Sequence, residues 1–141
     1  MKKHYILVLL FLLSANVWSQ SPEKMSYQAV IRDSDNNLVS NQTVGIQISI
    51  LQGSASGTAV YVETHEPTAN ENGLVTLEIG TGAVVSGDFS SIDWSAGPYF
   101  LKNETDPSGG NDYSTSGTCE LLSVPFALYA KNSGNAFSGH Y

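Results

Sequence analysis

The chain has 141 residues, 13 acidic against 6 basic side chains, and a formal net charge of −7. So acidic a surface repels phosphate backbones and anionic headgroups, which argues against nucleic-acid binding and against adsorption to a membrane surface. Cys119 is the single cysteine, so no internal disulfide can form and stability has to come from packing.

The chain opens with MKKHYILVLLFLLSANVWSQ. Lys2 and Lys3 make a positive n-region, and Ile6 to Leu13 are an unbroken apolar run. That run is the length of a signal-peptide core and too short to span a bilayer. Val17 and Ser19 put small residues at −3 and −1, so residues 1–19 are expected to be a signal peptide cleaved before Gln20. No cysteine stands at the cut to carry a lipid anchor, and no later stretch is long enough for a transmembrane helix. The expected location is secreted or on the outer cell surface. Residues 20–131 are expected to be one domain, large enough for a core, and 132–141 a disordered tail.

The domain reads as short strands separated by turns. MSYQAVIRD (25–33) is the first, closed by the polar turn Ser34-Asp35-Asn36-Asn37. In TVGIQISIL (43–51), Val44, Ile46, Ile48 and Ile50 fall on one face and Gly45, Gln47 and Ser49 on the other, the period-two pattern of a half-buried strand. AVYVETH (59–65) is rich in β-formers. Asn72-Gly73 is a strong turn dipeptide before LVTLEIG (74–80), where Val75, Leu77 and Ile79 alternate with Leu74, Thr76 and Glu78. GDFSSIDWSAG (87–97) breaks the alternation. It is expected to be a loop or single helical turn whose bulky residues, Phe89, Ile92 and Trp94, plug one end of the core. PYFLKNETD (98–106) and STSGTCELLS (114–123) complete the strands. The reading is all-β: an antiparallel β-sandwich of about seven strands. Pro125 then ends pairing, and FALYAK (126–131) has the composition of a short C-terminal helix with Ser123 as its N-cap.

Candidate sites are sparse. Asp33-Ser34-Asp35-Asn36-Asn37 begins like a calcium loop, but Leu38 and Val44 occupy the positions that need Gly and Glu, so a turn explains it. Asp106, Asn111 and Asp112 offer hard oxygen ligands without a spacing rule, and no metal or cofactor is expected. His65 lacks the partners of a zinc site or a catalytic triad and reads as a surface histidine. Glu63 and Glu78 could pair across neighbouring strands, but no insertion builds a cleft around them. Cys119 reads as a small buried hydrophobe, with pairing to another chain or a reactive thiol as alternatives. Trp94, Tyr99 and Tyr113, with Tyr61, could form a platform for sugar stacking, against the simpler role of core anchors. Phe126, Leu128 and Tyr129 are the expected contact residues of the terminal helix.

The signal Asn70-Glu71-Asn72-Gly73-Leu74-Val75-Thr76-Leu77 resembles that of prealbumin-like and Cna-B-like sandwiches. A closer resemblance is carried by SYQAVIRD (26–33), YVETHEPTANENGLVTLEIGTG (61–82), FSSIDWSAGPYFLKNETDPSGG (89–110) and LLSVPFALYAK (121–131). These segments resemble an N-terminal module of secreted and surface proteins of the Bacteroidota. That resemblance implies a head domain preceding repeats or collagen-like or fibre-like regions, with the terminal helix as its exit, and it implies no established chemistry. The expected function is a non-enzymatic structural or adhesion module. The alternatives are a carbohydrate-binding, lectin-like domain and, behind it, a small hydrolase. The partners expected are a protein or a glycan at the cell surface, or a second copy of the chain.

Overall fold

A computed structural model of the chain describes residues 24–121. Seven strands run in order: β1 Met25–Val30, β2 Gly45–Gln52, β3 Thr58–His65, β4 Leu74–Ile79, β5 Ala83–Ser86, β6 Tyr99–Asp106 and β7 Thr115–Glu120. They form two antiparallel sheets, a ribbon β1-β4 and a five-stranded sheet ordered β5-β3-β2-β6-β7. Six strands lie where the alternation and turn signals put them; β5, a four-residue exposed edge, was not marked by either. No α-helix occurs among the described residues, whose helical pieces are two 3-10 turns, and none of them is long and apolar enough to cross a membrane. The expected signal peptide at 1–19, the expected helix at 126–131 with Phe126, Leu128 and Tyr129, and the expected tail at 132–141 fall on residues outside the described ones.

β2 is the centre of the large sheet because it pairs with β3 on one side and β6 on the other. Its alternating face behaves as expected: Ile46, Ile48 and Ile50, and Val44 just before the strand, are all at most 1% exposed. Even its outward residues Ser49 and Leu51 are buried, shielded by flanking strands. The ribbon buries Val75, Leu77 and Ile79 in the same core. Opposite them on β1, Ala29, Tyr27 and Met25 point the same way by register. The remaining cover is the irregular segment between β5 and β6, which contributes Phe89 and Ile92 to the core and packs Trp94 against it.

The Asn72-Gly73 turn forms as the dipeptide predicts. Gly73 has φ 74°, a left-handed conformation that glycine takes without steric cost. The carboxamide of Asn70 accepts from the N–H groups of Asn72 and Leu74, which fixes the entry into β4.

Candidate functional site

β3 places Tyr61, Glu63 and His65 at every second residue, so all three side chains leave the same face. Their partners across the ladder are Ile50, Ile48 and Ile46, so that face is the core. Glu63 is therefore a carboxylate in the hydrophobic interior, with 0% of its surface exposed. Burial alone would favour its neutral form. Here it is surrounded by donors. Tyr61 Oη donates at 2.6 Å, His65 Nε2 lies at 2.7 Å, and the backbone N–H groups of Gly80 and Gly82 donate at 3.0 and 3.1 Å. Burial pushes the Glu63 carboxyl upward, but the bonds from His65, Tyr61, Gly80 and Gly82 together outweigh it and hold it below the ordinary value of 4.5. The same burial, reinforced by the Glu63 charge, pushes the Tyr61 phenol up.

The ligand set of Glu63 explains why the β4–β5 connection is Gly80-Thr81-Gly82. A Cβ at Gly82 would stand 2.6 Å from His65 Nε2 and 2.7 Å from Thr64 O, closer than any side chain can approach. The turn is drawn onto the carboxylate, and only glycine lets it come that near. Two readings from the sequence are corrected. His65 is not a free surface histidine; its side chain is 12% exposed and bonded to Glu63. Glu63 and Glu78 are not a pair: Glu78 points out of the ribbon and binds Lys24 at 2.8 Å. The missed signal was the Tyr-x-Glu-x-His spacing on a strand whose neighbours across the ladder on that face are the three isoleucines Ile50, Ile48 and Ile46.

The second candidate is the aromatic end. The segment after β5 contains two successive Asp-aromatic-Ser units, Asp88-Phe89-Ser90 and Asp93-Trp94-Ser95. Each Asp caps a 3-10 turn, Phe89–Ser91 and Trp94–Ala96, by accepting from the N–H and hydroxyl of the Ser two residues on. An extended cap residue with an acceptor side chain satisfies donors that the turn leaves unpaired. Hydrogen bonds from Ser90 and Ser91 hold the Asp88 carboxyl below its ordinary value. The capped turns aim the two aromatics inward. Tyr61, Phe89, Trp94 and Tyr99 then form an edge-to-face series with ring centroids 5.3, 5.8 and 5.2 Å apart. Tyr99 Oη donates to the Asp93 carbonyl. Beside this series is an open cleft of about 280 Å³ lined by Gln52, Asp88, Ser91, Asp93 and Tyr99 among others.

Of the residues considered for sugar stacking, Trp94 and Tyr99 are brought together, half-buried and buried respectively. Tyr113 is not with them. It lies near Glu104, Asp106 and Glu66, at the other end of β6, a strand roughly 24 Å long at about 3.4 Å per residue. The flat three-ring platform does not form, and the rings that do meet are set at 63–67° to one another.

The acidic loops also turn out to be turns. Asp33 Oδ1 accepts from the N–H groups of Asp35 and Asn37 at 2.9 Å. Asp106, buried at 3% exposure, accepts from the N–H and hydroxyl of Ser108 and from the N–H of Asp112. Those bonds, led by Ser108, hold its carboxyl low. Among the described residues no three His, Cys, Asp or Glu side chains converge as a metal site would require. Cys119 is exposed rather than buried: it sits on β7, an edge strand that the two-stranded ribbon is too narrow to cover.

A family model described as a domain of unknown function, DUF8740, matches residues 26–123. No curated protein and no solved structure was found to match the chain.

Proposed function

The chain belongs to the DUF8740 family, and from that premise we propose that it is an exported, non-enzymatic β-sandwich module, prealbumin-like in type, with a structural or adhesive role at or outside a bacterial envelope. The observation that carries this reading is the use made of its acids. Glu63, Asp33, Asp88, Asp93 and Asp106 each accept hydrogen bonds from backbone N–H groups of turns. Carboxylates committed in this way stiffen a scaffold, and the bonds hold Glu63, Asp88 and Asp106 below their ordinary values instead of poising them to exchange protons near neutral pH. Among the described residues every buried side-chain nitrogen and oxygen has a partner. The signal-like start and the resemblance to surface-protein head modules supply the location and the role. Phe126, Leu128 and Tyr129 are its proposed contact residues.

The test is binding against turnover. The purified protein is expected to bind whole cells or isolated envelope saturably, and Glu63→Gln should leave that binding intact if the variant is folded. Turnover of any substrate in a broad hydrolase screen, lost in Glu63→Gln, would overturn the reading.

One observation favours a second reading, a carbohydrate-binding domain. The cleft beside Trp94 and Tyr99 joins an aromatic edge to the carboxylates of Asp88 and Asp93 and the carboxamide of Gln52, a mixture suited to sugar hydroxyls. Under this reading Trp94→Ala abolishes glycan-array binding while the melting temperature hardly changes. A large loss of stability, or no array binding by the unaltered protein, returns Trp94 to the role of core anchor.

A further inference from the structure

β5 ends the five-stranded sheet. Among the described residues it pairs with β3 alone, which leaves its outer row of N–H and C=O groups without a neighbouring strand. All four of its residues are exposed, and Val84 and Val85, each 60% exposed, stand out furthest of the large apolar side chains described. Proteins ordinarily guard such an edge with charge, proline or a bulge. The other edge strands carry or adjoin charge: β7 holds Glu120, β4 holds Glu78, and β1 lies between Lys24 and Arg32. Residues 79–87, IGTGAVVSG, contain no charged residue and no proline. The guard present is a bulge, since the ladder steps from Glu63–Val84 to Val62–Ser86 and passes over Val85. It keeps any added pairing short but leaves both valines in the open.

The edge is also held at both ends. Before it, Gly80 and Gly82 donate to the Glu63 carboxylate. After it, Asp88 caps the next turn by accepting from Ser90 and Ser91. A strand fixed in this way needs little further ordering when a partner strand arrives. Two features select the occupant. Copies of a chain with net charge −7 bring like charges together over most of their surface, but not along this uncharged stretch. And Ala83-Val84-Val85-Ser86 reads small-Val-Val-small in either direction. An antiparallel, two-fold pairing therefore sets Val84 opposite Val85 of the second copy and Ala83 opposite its Ser86, and β-branched pairs facing each other across a ladder are favourable.

We propose that β5 is the docking edge for a second copy of the chain, the two β5 strands pairing antiparallel across a two-fold axis so that the two five-stranded sheets run into one. A contact of this length buries little surface, so the dimer is weak and reversible. The inference stands whether the module is adhesive or sugar-binding. It gives the Glu63 latch a second use, since the turn it fixes presents the docking edge.

Sedimentation equilibrium on the purified full chain tests this. The chain is expected to be a monomer at about 1 µM and largely a dimer at about 500 µM, the weak range that suits a short edge contact. Val84→Lys sets two lysines beside the axis and should raise the dissociation constant about tenfold or more. Ser116→Lys adds the same charge on β7, at the opposite edge of the sheet, and should leave it unchanged. Mixing Val84→Lys with Val85→Glu should restore the dimer, because the new lysine then faces the new glutamate. Circular dichroism melting establishes that the variants are folded, and Val85→Lys with Val84→Glu replaces the pair if they are not. A chain that stays monomeric throughout overturns the proposal. So does a dimer that the folded lysine variant leaves as tight as before, or one that Ser116→Lys weakens equally.

Discussion

Two structures cover the core face of the large sheet, and they get their positions in different ways. The β1-β4 ribbon is regular: its ladder fixes the register, and every second residue of β4 is delivered to the core. The segment Gly87–Pro98 has no ladder. Its aromatics are aimed by two short turns, each held by its own Asp cap. A regular cover distributes its positioning over many backbone bonds, while an irregular one concentrates it in a few side chains. Glu63 combines the two logics. It sits in a regular strand, yet it fixes an irregular turn, Gly80–Gly82, where the ribbon hands over to β5.

This difference can be broken from either side. The largest effect is expected at the junction. Glu63→Ala strips a buried acceptor from Tyr61, His65, Gly80 and Gly82 and should cost about 3–5 kcal/mol in chemical denaturation, as removal of one partner from a buried charged cluster does. Hydrogen exchange should then rise first at Gly80 and Gly82, with the Gly87–Pro98 segment still protected. Next comes the regular cover. Leu77→Ala leaves a cavity under the ribbon and should cost about 2–4 kcal/mol, spread over both sheets because they share one core. The smallest effect belongs to the irregular cover. Asp93→Ala removes one cap and should cost about 1 kcal/mol, read as a small fall in melting temperature with a change in near-ultraviolet dichroism from Trp94 and Tyr99. Equal responses from the two covers would show that the distinction is not physical.

The regular parts were legible in the sequence because one property, alternation, sets both the strand and its buried face. Ile46, Ile48 and Ile50 could be assigned to the core from spacing alone, and Asn72-Gly73 fixed a turn. The aromatic plug was legible in outline: bulky residues among small polar ones, with Phe89 and Ile92 indeed buried. The role of its aspartates was not, because a cap needs the local fold before it can be seen. Glu63 was hidden for a stronger reason. A charge on a strand reads as outward-facing, and the interior position becomes tolerable only when Tyr61, His65 and the two glycines of another turn gather their donors around it. Cys119 misled in the opposite direction: its residue type favours burial, but cover depends on what faces it, and among the described residues the facing sheet has two strands. Tyr113 was grouped with Trp94 by residue type, while chain topology put the length of β6 between them.

The central claim is that the buried carboxylate of Glu63 is a charged structural latch. Its folded value lies below the ordinary 4.5, so its contribution is present above pH 4.5 and is lost as pH falls through the folded value. The direct measurement is unfolding free energy against pH, from 7 down to 3, for the unaltered chain and for Glu63→Gln. The account predicts that the unaltered chain starts out more stable and loses that advantage below pH 4.5, so that the two curves converge. Curves that stay parallel through that range, or convergence already under way near pH 6, would contradict it.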